Sequence, residues 1–70
     1  MKTEYRRVKG EPIARYRKGW NLLTCYQLGE FCAVTWTNES MQPKTFYGEK
    51  DEMNDFVRRA LSDGYRRSCR

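Results

Sequence analysis

The sequence contains no histidine, which removes the most common general base of enzymes and a frequent zinc ligand. Its three cysteines, Cys25, Cys32 and Cys69, include no Cys-x-x-Cys pair of the kind found in redox and zinc sites. Neither Ser40 nor Ser62 has a neighbouring base that could activate it. We therefore expect no catalytic residue, no metal or cofactor site and no small-molecule substrate, and we interpret the chain as a non-enzymatic binding protein.

Long apolar runs are also missing. No run reaches the ~18 residues that a membrane-spanning helix needs, and the first residues lack the apolar segment of a secretory signal. Three cysteines cannot all pair within one chain, so buried free thiols in a reducing compartment are the simpler interpretation. These absences predict a cytoplasmic protein, in the host-cell cytoplasm if a phage encodes it.

The chain has 70 residues, enough for one domain with a small core, because a chain of this size buries only about 60% of its unfolded surface. We expect four parts. Residues 1–12 form an N-terminal arm or short strand, residues 13–47 an antiparallel sheet, residues 49–63 a helix and residues 64–70 a basic tail.

A β-hairpin is the clearest pattern. Residues 20–28 and 31–37 are both rich in aromatic, β-branched and other apolar residues, and Gly29-Glu30 between them is typical of a two-residue type II′ turn. Such a turn sets Leu28 opposite Phe31, and it sets Cys25 and Cys32 diagonal to each other on one face. Because side chains alternate between faces, a shift of one residue would exchange the two faces, both of which carry large apolar side chains.

The flanking segments extend the hairpin into a meander. Residues 13–18 alternate as an edge strand would, residues 38–43 read as a turn, and residues 44–47 as a short last strand. The period then changes to 3.6, and Gly64 is expected to end the helix with Tyr65 folding back on Ala60. The helical stripe consists of Met53, Phe56, Val57, Ala60 and Leu61. The predicted fold class is α+β: a three- to four-stranded antiparallel β-meander followed by one C-terminal α-helix packed on one face.

We expect the helix to cover the sheet face that carries compact side chains, namely Leu23, Cys25, Cys32, Val34 and Trp36. The other face then has no element to cover it, unless residues 1–12 fold across. An exposed apolar patch with aromatic residues is typical of a protein interface. The predicted interface residues are Trp20, Leu22, Tyr26, Leu28 and Phe31.

Positive charge is concentrated at the two ends of the chain. Residues 1–20 carry a net +5, residues 21–57 a net −4 and residues 58–70 a net +4. The basic ends could bind nucleic acid or an acidic partner, or they could simply be a solvated surface. The candidate contact residues are Arg6, Arg7, Lys9, Arg15, Arg17, Lys18, Arg66 and Arg67.

The predicted layout of residues 13–62 resembles, in topology alone, the ethylene-response-factor domains of plants and the arm-binding domains of phage integrases. That resemblance implies DNA recognition by the sheet face opposite the helix. The free face here carries Trp, Leu, Tyr and Phe, so the preferred expectation is protein–protein interaction with a larger protein or complex, or a homodimer. The protein could be an accessory inhibitor from a phage or mobile element, of the anti-CRISPR or anti-restriction type. The alternative is a small basic regulatory protein that binds DNA or RNA.

Overall fold

A computed structural model describes residues 2–5, 8–38 and 41–68 of the chain. The elements in chain order are β1 (Lys2–Glu4), β2 (Pro12–Lys18), β3 (Asn21–Leu28), β4 (Phe31–Asn38), β5 (Met41–Gly48), α1 (Lys50–Ser62) and β6 (Arg66–Ser68). All strands join one antiparallel sheet in the order β1-β5-β4-β3-β2-β6. The α+β class, the central meander and the C-terminal helix are confirmed.

The predicted strand number is wrong, because the described residues form a sheet of six strands rather than three or four. β1 pairs with β5 at one edge, with Lys2 opposite Tyr47, and β6 pairs with β2 at the other, with Arg66 opposite Arg17. Each added strand has only three residues, too few to show a period in the sequence. The expected basic tail of residues 64–70 therefore contains an edge strand.

The central hairpin has the predicted register. Leu28 lies opposite Phe31, Tyr26 opposite Ala33, and Leu22 opposite Thr37. Gly29 has a φ of +65°, as the first position of a type II′ turn requires. Among the described residues only glycines have a positive φ. Cys25 lies opposite Val34, and Cys32 lies opposite Gln27, so the two cysteines are diagonal neighbours. Both thiols are free.

Trp20 does not belong to the hairpin strand, and this corrects the expected strand start. Lys18 and Asn21 form the last pair between β2 and β3, so Gly19 and Trp20 are the two turn residues. Gly19 has a φ of +60°, which favours a second tight turn of the same kind. Because the chain reverses at this point, Trp20 sits at the end of the sheet rather than on its face.

The last strand of the meander is longer than predicted. β5 covers Met41–Gly48 and so includes Pro43, which was expected to close a turn. Proline donates no backbone hydrogen bond and is tolerated at strand edges and irregularities. Pro43 meets both conditions, because β1 pairs only with residues 45–47 of β5 and the β4–β5 register shifts between Trp36 and Asn38.

The helix begins and ends where the sequence indicates. The side chain of Glu52 accepts a hydrogen bond from the backbone N–H of Glu49 at 3.2 Å, half of a capping box. At the other end Gly64 has a φ of +109°, and the N–H of Tyr65 donates to the carbonyl of Ala60 at 3.0 Å. That pair is the Schellman motif, so the predicted C-terminus is confirmed.

The core lies between α1 and one face of the sheet. Six buried residues compose it: Leu23, Cys25, Cys32, Val34, Met53 and Ala60. The expected pairing of the helical stripe with the compact sheet face is confirmed, with Trp36, Phe56 and Val57 packed around the centre. Leu61 departs from the stripe because 43% of it is exposed. Each buried aliphatic side chain contributes about 1.5–3 kcal/mol to folding.

Candidate functional site

β6 brings arginines from the C-terminal end of the chain beside those of β2. Arg66 lies directly opposite Arg17, and Ser68 lies opposite Arg15. Arg15 also pairs with Thr24 on β3, whereas the neighbouring Tyr16 pairs with the core residue Leu23. Because side chains alternate along a strand, Arg15, Arg17 and Arg66 share the sheet face away from the helix. We call these three residues the arginine cluster.

The arginine cluster is exposed, and no described acidic residue pairs with it. All three side chains are exposed, and none forms an ion pair with a described residue. Within the described ranges, the guanidinium of Arg66 donates from Nη1 to the carbonyl of Tyr65 at 3.2 Å. Opposed residues of an antiparallel pair have Cβ atoms about 4.5–5.5 Å apart, and like charges so placed are destabilising. A bound anion would relieve that repulsion.

The other predicted basic residues do not all join the cluster. Arg67 pairs with Tyr16 on the helix side of the sheet. There its positive charge offsets part of the rise in the pKa of the Cys25 thiol that burial causes. Lys18 forms a salt bridge with Asp63 at the end of α1, with 3.2 Å between Nζ and Oδ2. Lys9 is exposed in the segment before β2. Arg6 and Arg7 lie outside the described residues.

Acidic residues collect at a different part of the molecule. Four of them stand at the start of α1, which follows β5: Glu49, Asp51, Glu52 and Asp55. β5 and β2 are separated by two strands, so about three spacings of 4.8 Å, or ~14 Å, divide the acidic and basic regions. That exceeds the Debye length of about 10 Å at 0.1 M salt, so these acids do not neutralise the arginine cluster.

The five predicted interface residues do not form one patch. Trp20 is 76% exposed and Phe31 59%, but they lie at opposite ends of β3, roughly 26 Å apart at ~3.3 Å per residue. Between them lie three strand residues that are half-buried: Leu22, Tyr26 and Leu28. The middle of the face is closed to solvent, since its small side chains are buried, namely Thr24, Ala33, Thr35 and Thr45. Thr35 and Thr45 share a hydrogen bond of 2.9 Å there.

A cleft of about 350 Å³ between the helix and the sheet has no counterpart in the sequence predictions. Its lining is mostly apolar and consists of Leu23, Trp36, Phe46, Phe56, Arg59, Ala60, Asp63 and Tyr65. The rings of Phe46 and Phe56 are in contact, with centroids 5.2 Å apart. Large residues around the small Ala60 leave this space open. The only sequence signal was a small residue in an otherwise bulky helical stripe.

The buried thiols show no sign of reactivity. Cys25 and Cys32 are 0% and 1% exposed, and burial raises the pKa of Cys25 to about 11, with Cys32 adding to the shift. The thiol of Cys32 donates to Gln27 Oε1 at 3.4 Å. A protonated, buried thiol is a poor nucleophile. Cys69 lies outside the described residues.

The described residues contain no group of three or more Cys, Asp or Glu side chains placed to hold a metal ion. Across the same ranges, no helix has the length and apolar character needed to cross a membrane. Comparisons of the chain with models of known protein families, with curated proteins and with solved structures find no match.

Proposed function

We propose that the protein is a small non-enzymatic module that binds nucleic acid through the arginine cluster. The observation that carries the proposal is the cross-strand pair of Arg17 and Arg66, with Arg15 on the same exposed face and no acidic partner among the described residues. Placing two guanidinium groups opposite each other costs stability unless an anion bridges them. Arginine binds phosphate through two parallel hydrogen bonds, so phosphate groups fit this arrangement.

The charge of the whole chain supports the same ligand. The net charge is +5, and four of the nine acids stand at the start of α1, away from β2 and β6, while Asp63 is paired with Lys18. A polyanion approaching the β2–β6 edge therefore meets positive charge with little opposing negative charge. The sequence alone favoured a protein partner because the free face showed no interleaved arginines. The pairing of β6 with β2 supplies them, and this reverses our preference. Two free, buried cysteines fit a reducing compartment, and we propose the cytoplasm.

The salt dependence of binding to a labelled oligonucleotide tests the proposal. Each neutralised phosphate contributes about 0.7 to 0.9 to the slope of log affinity against log salt. Replacing Arg17 and Arg66 together with alanine removes two contacts, so we expect the slope to fall by about 1.4 to 1.8 and affinity to fall at every salt concentration.

A matched control separates the cluster from net charge. Replacing Arg58 and Arg59 with alanine removes the same two charges from α1, where Arg58 lies 3.9 Å from Asp55 and Arg59 lines the cleft. We expect this variant to keep the parental slope. Equal losses in the two double variants would mean that binding follows net charge alone, and undetectable binding by the parent would refute the proposal.

A second candidate is a protein partner, either a larger protein that the chain inhibits by covering its surface or a second copy of the chain. It is favoured by the exposure of Phe31, an aromatic side chain at the Gly29-Glu30 end of the hairpin. Light scattering tests the homodimer directly. For a larger partner, capture that survives nuclease treatment and is lost in Phe31→Ala would support this candidate over nucleic acid.

A further inference from the structure

Among the side chains that the structure describes, Trp20 is the most exposed large apolar one, and it lies two residues after the end of β2. It is 76% exposed and forms no hydrogen bond or ring contact with any described residue. The other tryptophan, Trp36, is half-buried and donates from Nε1 to Asn21 Oδ1 at 3.3 Å. A tryptophan normally contributes much of its large area to a core or an interface. Folding alone does not account for the position of Trp20.

The turn holds Trp20 close to the arginine cluster. Trp20 is three residues after Arg17, so their Cα atoms are at most about 11 Å apart. The pair formed by Lys18 and Asn21 closes the turn on both sides, and the positive φ of Gly19 suits it. The indole is therefore carried on an ordered two-residue turn at the end of the strand that supplies Arg15 and Arg17.

We propose that the ligand of this edge is single-stranded nucleic acid, and that Trp20 stacks on an unpaired base while the arginine cluster holds the adjoining phosphates. This inference rests on the function proposed above and narrows it. Phosphate contacts alone do not distinguish single strands from duplexes. In a duplex the faces of the bases are stacked on one another, whereas in a single strand they are available to an aromatic side chain. A basic strand edge followed by an exposed indole is the combination that single-strand binding requires.

The test compares four labelled probes of equal length: unpaired DNA, unpaired RNA of the same sequence, a DNA duplex, and a DNA strand made wholly of abasic sites. The abasic strand keeps the phosphates and removes the bases. We expect the parent to bind the unpaired strands more tightly than the abasic strand and the duplex at equal salt. Comparison of the DNA and RNA strands shows which one the site prefers.

Trp20→Ala is the decisive variant, with Phe31→Ala as a matched aromatic control from the far end of the hairpin. Loss of one stacked base costs roughly tenfold or more in affinity. We expect Trp20→Ala to lose that factor for the unpaired strands, to keep its affinity for the abasic strand and to keep the parental salt slope. Phe31→Ala should match the parent on all probes. Neither side chain is buried, so we expect both variants to fold, and thermal unfolding of each one checks this.

Tryptophan fluorescence provides a second measurement. The chain has two tryptophans, so in Trp36→Phe the emission comes from Trp20 alone. We expect unpaired strands to quench it and the abasic strand to leave it unchanged. The inference is overturned if Trp20→Ala binds unpaired DNA and RNA as tightly as the parent, or if the duplex binds as tightly as the single strands. These results would leave the arginine cluster as a phosphate site, whereas failure of the parent to bind any probe refutes the broader proposal.

Discussion

The buried thiol of Cys25 is expected to make the fold less stable in alkaline solution. Burial, with a contribution from Cys32, raises the pKa of Cys25 from 9.0 to about 11, and Arg67 opposes the shift only in part. Below pH 9 the folded and unfolded chains both keep the proton, so the stability is intact. Between pH 9 and 11 the unfolded chain loses the proton while the folded chain keeps it. Stability is therefore lost as the pH rises through this window.

The size of the effect follows from the two pKa values. A shift of one pKa unit corresponds to 1.36 kcal/mol, so the free energy of unfolding should fall by about 1 kcal/mol at pH 10 and by about 3 kcal/mol well above pH 11. Urea unfolding in the presence of reductant, measured at pH 7 and pH 10, gives this quantity. The expected loss is a substantial part of the total stability of a small domain.

Cys25→Ala separates this effect from other alkaline titrations. Tyrosines and lysines also lose protons near pH 10, but they do so in the parent and in the variant alike. The variant is expected to be less stable at pH 7, because it leaves a small cavity in the core, and to lose less stability on going to pH 10. The stability advantage of the parent should therefore shrink by about 1 kcal/mol. An advantage of the same size at both pH values would refute the argument that burial keeps this thiol protonated.

Two further predictions concern the fold. Val34→Asp buries an unpaired charge at a position that is 1% exposed, so we expect no cooperative thermal transition. The control Asn54→Asp, on the exposed side of α1, should unfold like the parent. A normal transition in Val34→Asp would contradict the assigned core. In Gly29→Ala the new Cβ meets no atom within 4 Å, but the alanine must adopt a φ of +65°. We therefore expect the free energy of unfolding in urea to fall by about 1–2 kcal/mol. An unchanged midpoint would show that the turn relaxes.

The sequence predicted those parts of the fold that depend on neighbouring residues. The hairpin register follows from the two residues of its turn, and the helix ends follow from Glu49, Glu52 and Gly64, whose effects are local. The edge strands depend instead on pairing between distant residues. Ser68 pairs with Arg15, which lies more than fifty positions earlier in the sequence. β6 has only three residues, too few for a periodic pattern that would predict a strand.

The same distinction explains the candidate site. Arg15, Arg17 and Arg66 were all identified as basic residues, but their common face depends on β6, which the sequence did not reveal. The predicted interface was inferred from alternation along the two strands of the hairpin. That rule fails at Trp20, because the turn consists of Gly19 and Trp20 and so extends one residue further along the chain than the sequence pattern indicated.

The position of β6 has a consequence for the order in which the protein folds. The strands β2 to β5 follow one another along the chain and pair with their sequence neighbours, so their contacts form with small losses of loop entropy. β6 can join β2 only after the chain has passed through the whole meander and the helix. The pair of Arg17 and Arg66 therefore belongs to the non-local contacts that form late and, being at a sheet edge, open first. A fragment that ends at Gly64 would lack Arg66, although it retains the whole meander and helix.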